Sequence, residues 1–234
     1  MNVHVGLGSE LAEESLRPYL HQRKHGRPYC VMKSAISLDG RIAAKDGSSQ
    51  WITGEEARRN VHELRAESQA ILIGSGTAIA DKPKLTVRDI ELPDQFKPPL
   101  RVLLDSRGRV SPSDFQGDLI FSSKVHHQKD WEASGAEVHV MESINLKKVL
   151  KILNEKGVLQ LMIEGGQSIY TAFLREGLVD QLAVYIGACL LGPAGIALND
   201  LSIPSINEAL RLKLLKMQQL GQDMRLDYLC LQEL

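Results

Sequence analysis

The chain has 234 residues, 43% of them hydrophobic and 24% charged, with a formal net charge of −1 at pH 7. That length can bury the core of one large domain or two small ones, and so balanced a charge excludes a general basic field for holding nucleic acid. Cys30, Cys189 and Cys230 lie in apolar strand-like runs without zinc or secreted-disulfide spacing, and they read as reduced core residues. With no membrane-length apolar run and no signal-peptide block, the expected location is the cytoplasm.

Residues 1–28 read as an approach segment. A helix over residues 10–25 would carry Leu11, Leu16 and Leu20, followed by the basic, breaker-containing residues 23–28. Residues 29–36 are a strand candidate, with Ser37-Leu38-Asp39-Gly40 as its turn. Lys33 stands inside that strand, where a lysine is rarely buried without a partner or a task; a snorkelling strand-end lysine is the other reading. Residues 41–44 continue briefly, and a polar loop leads to Trp51, either a ring that stacks on a ligand or an anchor of a satellite core. Thr53 and Glu56 have capping-box spacing for a helix to about Ser68, with Ala57, Val61 and Leu64 as its stripe. Arg65, near the end of that helix, is either a solvated charge or a contact for an anion.

Residues 70–73 form a short apolar strand that runs into Gly74-Ser75-Gly76-Thr77, a short helix and Asp81. After a polar, proline-containing loop, residues 100–105 form a strand that ends in Ser106-Arg107-Gly108-Arg109. A hydroxyl and two guanidiniums at a strand's C-terminal end suit a phosphate, including the 2′-phosphate that separates NADP from NAD; the alternative is a basic surface loop. Strands follow at 118–121 and 137–140, and Asn145 caps a helix over 146–156. The apolar run 159–164 ends in Glu164, then Gly165 and Gly166, then a helical pattern carrying Ile169, Tyr170, Phe173 and Leu174. Such a turn is either a bare strand-to-helix connection or a phosphate cradle of free N–H groups. Residues 182–191 form a longer strand, and 210–214 and 224–228 alternate as an antiparallel edge hairpin around Gly221-Gln222-Asp223. The pattern predicts an α/β fold, a mixed sheet flanked by helices.

Two glycine turns, a Ser/Arg loop and isolated Lys, Asp and Glu at strand ends point to a reductase using a phosphorylated dinucleotide. The cofactor does the hard chemistry there, so few reactive side chains are needed. No nucleophile elbow and no zinc-deaminase signature occurs, and the strict Gly-x-Gly-x-x-Gly fingerprint is also absent.

In order, Lys33-Ser34-Ala35-Ile36-Ser37-Leu38-Asp39-Gly40-Arg41, Ser49-Gln50-Trp51-Ile52-Thr53, Gly74-Ser75-Gly76-Thr77 with Asp81-Lys82-Pro83 and Leu85-Thr86-Val87-Arg88, and Glu164-Gly165-Gly166 resemble the reductase domain of the bifunctional riboflavin-biosynthesis deaminase/reductase. The resemblance runs from about Gly26 to the C-terminus. It implies a dihydrofolate-reductase-like, mainly parallel sheet with a C-terminal antiparallel hairpin. It also implies NADPH-dependent reduction of the ribosyl side chain of 5-amino-6-(5-phosphoribosylamino)uracil to a ribityl chain.

Carried over by resemblance, Lys33, Asp81 and Glu164 are the polar residues at the reacting ribose. Ser49, Arg65, Leu85 and Arg88 match substrate positions, with both arginines suited to the 5′-phosphate. Ala35, Trp51, Thr77, Asp81 and Ser106 match cofactor positions, as does the run Gly166, Gln167, Ser168, Ile169, Tyr170, Thr171 and Ala172. Residues 1–28 resemble a linker, residues 29–234 the reductase domain, and the family's zinc deaminase partner domain has no counterpart in this sequence. No metal, nucleic acid or membrane partner is expected, and the edge hairpin is a candidate homodimer surface. Two alternatives are a dihydrofolate reductase relative acting on another pterin or pyrimidine, and a non-catalytic nucleotide-binding domain of the same fold.

Overall fold

The computed structural model describes residues 4–124 and 126–231. Its strands are β1 (Tyr29–Ser37), β2 (Arg41–Ala43), β3 (Ala70–Gly74), β4 (Leu100–Asp105), β5 (Leu119–Ser122), β6 (Glu137–Val140), β7 (Gln160–Ile163), β8 (Gln181–Gly187), β9 (Ile196–Ala197), β10 (Leu212–Leu220) and β11 (Asp223–Cys230). The helices are α1 (Ser9–His25), α2 (Glu55–Glu67), α3 (Ser75–Asp81), α4 (Gln128–Ala133), α5 (Leu146–Glu155) and α6 (Gln167–Arg175).

Strands β3, β5 and β7 are buried at every position, which is why they read as unbroken apolar runs. They belong to one nine-stranded sheet in the order β10-β11-β8-β1-β7-β3-β4-β5-β6. From β8 to β6 neighbours run parallel; β11 is antiparallel to β8, and β10 to β11. The expected mainly parallel α/β sheet with a C-terminal hairpin is therefore observed. Successive strand residues enter opposite cores, as a period of two requires. Cys30, Met32, Leu72 and Leu161 pack with Val149, Leu153, Tyr170 and Phe173 of α5 and α6. Val31, Ile71, Met162 and Tyr185 pack with Ala57, Val61 and Leu64 of α2.

Several boundaries differ from the sequence reading. Thr53 does not cap α2: the N-cap is Gly54, no side chain on the helix caps it, and Asp223 Oδ2 instead accepts from the Gly54 N–H at 2.6 Å. The cap comes from the hairpin turn, so no local spacing could announce it. β8 stops at Gly187 because Ala188 turns toward Asp223, donating to its Oδ1 at 3.3 Å. The hairpin strands are longer than their alternating cores, since a register shift between Leu214 and Lys216 breaks the period. The sequence reading did not identify α4, nor β9, which pairs with β2 outside the main sheet. Only Cys30 is fully buried; Cys189 and Cys230 are half-buried. Leu11, Leu16 and Leu20 of α1 point outward, while Arg27 just beyond it grips Asp180 through both carboxylate oxygens at 2.7 and 2.8 Å. Among the described residues no helix is long and apolar enough to cross a membrane.

Candidate active site

In the parallel pairing of β1 with β7, Met32 faces Ile163, so Lys33 and Glu164 come next on adjacent strands. Val31 and Met162, two positions earlier, lie on the α2 face, and strand alternation returns Lys33 and Glu164 to that face. From the last turn of α2, Arg65 donates Nε to Glu164 Oε1 at 2.6 Å and its second terminal nitrogen to Oε2 at 2.8 Å. Burial alone would raise the Glu164 carboxyl; Arg65 first, then Lys33 and His62, hold it down at about 2. The Lys33 ammonium has no hydrogen bond or ion pair among the described residues, and burial lowers it from the usual lysine value despite the opposing pull of Glu164. The Lys33 carbonyl accepts from the Tyr170 hydroxyl at 2.5 Å, which fixes the strand at the lysine.

Sequence reasoning missed His62. It lies one helical turn before Arg65, and its Nδ1 is 3.1 Å from the Thr86 carbonyl that also accepts from Arg65 at 3.1 Å. Burial, then Arg65 and Arg88, lower its imidazole. The i, i+3 spacing of His62 and Arg65 was the available signal. Together they pin the loop after α3, where Leu85 is buried in a left-handed conformation at φ 50°. A leucine there costs about 1–2 kcal/mol, the kind of strain that the surrounding structure must hold in place. Arg88 is exposed, with contacts only to its neighbours Thr86 (3.4 Å) and Asp89 (3.3 Å) among the described residues. Asp81 ends α3 with its side chain open to solvent.

The two glycine turns stand side by side, because β3 pairs with β7. Their glycines divide into two kinds. A Cβ on Gly165 or Gly74 would lie 2.6 or 2.7 Å from the Ile169 side chain, so these two glycines make room for packing. A Cβ on Gly166 would make only ordinary contact with Thr77 Oγ1 at 3.8 Å, and one on Gly76 would meet nothing within 4 Å, so these two glycines are not filled by packing. No side chain caps α3 or α6. Of the run 166–172, Gly166, Gln167 and Ser168 lie at the start of α6. Ile169 and Ala172 pack against the core, and Tyr170 and Thr171 are buried, Thr171 Oγ1 being engaged with Gln167 and Asp200 at 2.8 Å each.

Ala35 is half-buried on β1, two residues beyond Lys33. Ser49 and Trp51 lie on the loop before α2. Trp51 is 68% exposed, with the Arg58 guanidinium 4.5 Å from its ring centre. Ser106 is exposed at the end of β4, and its neighbour Arg109 donates to Ser75 Oγ at 2.9 Å, joining this loop to the first glycine turn. Beside it opens a cavity of about 1150 Å³ lined by Arg107, Arg109, Lys124, His126, His127 and Lys129, with Asp130 and Glu132 on its wall. Lys124, His126 and His127 belong to the β5–α4 connection and Lys129 to the first turn of α4, neither of which carries a motif. Among the described residues no three His, Cys, Asp or Glu side chains cluster as a metal site.

The arrangement thus brings together a lysine ammonium beside a carboxylate held ionised by Arg65, two adjoining glycine turns, and a basic cavity beside the loop that Arg109 ties to the first of them. Residues 28–226 match the family model described as the RibD C-terminal domain. The chain belongs to that family. The RibD domain here is 41% identical to the riboflavin biosynthesis protein RibD of Chlamydia muridarum, over 98% of this chain and 65% of that protein. It is 33% identical to RibD of Escherichia coli, over 95% and 65% respectively. The chain therefore spans about two thirds of the length of the curated relatives it matches. It superposes on Acinetobacter baumannii RibD with a TM-score of 0.86 at 31% identity, covering 99% of this chain and 66% of the other. A Thermotoga maritima diaminohydroxyphosphoribosylaminopyrimidine deaminase/5-amino-6-(5-phosphoribosylamino)uracil reductase shares the fold, with a TM-score of 0.78 at 23% identity over 95% and 62% of the two chains.

Proposed function

We propose that this RibD domain reduces the ribosyl side chain of 5-amino-6-(5-phosphoribosylamino)uracil with NADPH, as a step of riboflavin biosynthesis. The observation that carries the reading is the Lys33 ammonium, midway along β1, beside the Arg65-clamped Glu164 at the end of the adjacent strand β7 of a RibD-family sheet. NADPH supplies the hydride when bound. The remaining work falls to the chain. Reduction of the opened sugar's C=N bond at carbon leaves charge on nitrogen, and the Lys33 ammonium is placed to donate the proton or stabilise that charge. Glu164, held ionised, accepts hydrogen bonds from ribose hydroxyls or ring N–H groups. Arg88 suits the 5′-phosphate, whereas Arg65, the other arginine matched to that group, is engaged by both oxygens of Glu164; Leu85 and Ser49 wall the substrate and Asp81 lies between substrate and cofactor.

The cofactor fits the glycine turns at Gly166 and Gly76, with Ala35, Trp51 and Thr77 around it and Gln167 and Ser168 at an uncapped helix start. The cavity next to Ser106, rich in Arg, Lys and His, supports NADPH over NADH, since the two differ by the 2′-phosphate. Loss of NADPH absorbance with the phosphoribosylaminopyrimidine substrate, and a much slower rate with NADH, is the expected result; no oxidation of either nucleotide overturns the reading.

The reading extends to residues 1–28 as a linker ahead of a reductase domain at 29–234, and to a cytoplasmic setting. The exposed Leu212, Leu214 and Met217 on edge strand β10 support a homodimer through that edge.

A further inference from the structure

Beneath Lys33 lies a polar network that the reaction above does not use. In register, Lys33 faces Ala183 and Ala35 faces Tyr185 on β8; on β11, Arg225 faces Tyr185 and Asp227 faces Ala183. All six are on the α2 face. The Tyr185 ring, with no exposed surface, lies between two cations: Lys33 Nζ is 5.8 Å from its centre and the Arg225 guanidinium 5.6 Å. The ring is held at its far end, where its hydroxyl donates to Asn60 Oδ1 on α2 at 2.9 Å. Arg225 donates to the same oxygen at 2.9 Å and binds both oxygens of Asp227 at 2.8 and 2.9 Å, and Asp227 also accepts from Gln181 at 3.0 Å. Asn60 Nδ2 in turn donates to Glu63 at 2.6 Å.

We propose that Tyr185 is a positioning residue for Lys33: its ring face, braced by Asn60 and Arg225, holds the ammonium at the reacting end of the substrate. An ammonium with no hydrogen bond or ion pair has little else to define its place, and a ring face within about 6 Å attracts it electrostatically. Glu164 just beyond β7 and Arg65 on α2 act on the same ammonium with opposite signs, Glu164 the more strongly, and the ring adds its attraction to that of Glu164. Helix α2 thereby sets both halves of the site, Glu164 through Arg65 and Lys33 through Asn60 and Tyr185. This inference rests on Lys33 being the reacting cation, and its test separates the two ideas.

The test follows the Lys33 Nζ titration by NMR in protein labelled with ¹³C-lysine, assigning the signal by its loss in Lys33→Gln, and measures turnover in parallel. Tyr185→Phe keeps the ring, and 3,4,5-trifluorophenylalanine at position 185 keeps its shape while weakening its negative face, so folding is preserved in both. Tyr185→Leu removes the face altogether. The Phe variant, which keeps the face but loses the bond to Asn60, should titrate slightly below the native protein, the trifluoro variant about half a pH unit or more below the Phe variant, and kcat should fall in the same order with the KM for NADPH unchanged. An identical Lys33 titration in the Phe and trifluoro variants overturns the proposal. A titration that follows ring electronics while Lys33→Gln remains fully active supports Tyr185 as the brace and overturns the proton-transfer role of Lys33 instead.

Discussion

Arg65 closes on both carboxylate oxygens of Glu164, at 2.6 and 2.8 Å, tying the last turn of α2 to the end of β7. The two side chains are only 13% and 12% exposed, so solvent screens the pair little. Glu164 titrates at about 2 against an ordinary 4.5. Its folded-state value is depressed, so the stability it contributes is present above pH 4.5 and is lost as the pH falls through about 2. The gap in unfolding free energy between the native protein and Glu164→Gln should be about 3 kcal/mol at neutral pH and should close across that window. Urea unfolding at pH 7, 4, 3 and 2 measures it; curves that stay parallel down to pH 2 would remove the ion pair from the stability of the site.

Lys33→Ala should abolish most turnover while leaving NADPH affinity nearly unchanged, because the proposed task of the ammonium is at the reacting centre and not in holding the nucleotide. Burial lowers its ammonium from 10.5, so the alkaline fall in kcat belongs below the ordinary lysine range, activity being lost as the proton leaves. Steady-state kinetics and fluorescence titration of NADPH separate the two effects. Full activity in the variant would take Lys33 out of the chemistry.

Among the described residues Arg88 bonds only to its neighbours Thr86 and Asp89, and its exposed side chain can turn toward a phosphate. Arg88→Ala should raise the substrate KM by the worth of a charge-assisted hydrogen bond, about 1.5–3 kcal/mol, with kcat nearly constant. An unchanged KM would leave it as a surface residue.

Arg109 links the Ser106 loop to the first glycine turn through Ser75 and lines the basic cavity. Arg109→Ala should weaken NADPH by a similar 1.5–3 kcal/mol and NADH hardly at all. Measuring both Kd values is decisive, since an equal loss for both would make the contact structural.

Gly187 ends β8 under the Trp51 loop, and a Cβ there would collide with the Ile52 carbonyl oxygen. Backbone cannot yield as a flexible side chain does. Gly187→Ala should cost about 1–3 kcal/mol of stability and displace the loop, lowering both Tm and NADPH affinity. A native Tm in this variant would show that the loop is free to move.

Local pattern and tertiary structure contributed different parts of this protein. The apolar runs of β3, β5 and β7, the glycine turns after β3 and β7 and the Asn145 cap, which accepts from the Lys148 N–H at 2.9 Å, were legible because each depends on residues within a few positions of one another. The same holds for Lys33 and Glu164, since a polar residue inside or at the end of a buried strand stands out by itself. What no pattern could supply is pairing across the chain. Arg65 meets Glu164 across 99 residues, Asp223 caps α2 across 169, and Tyr185 reaches Asn60 across 125. Ile169 fills the space left by Gly165 and Gly74, which glycine spacing alone makes indistinguishable from the unfilled Gly166. Strand order decided these matters: β7 lies between β1 and β3, although 86 residues separate it from β3, counting from Gly74 to Gln160. Sequence determined which side chains were unusual for their surroundings, and the sheet decided which of them face one another.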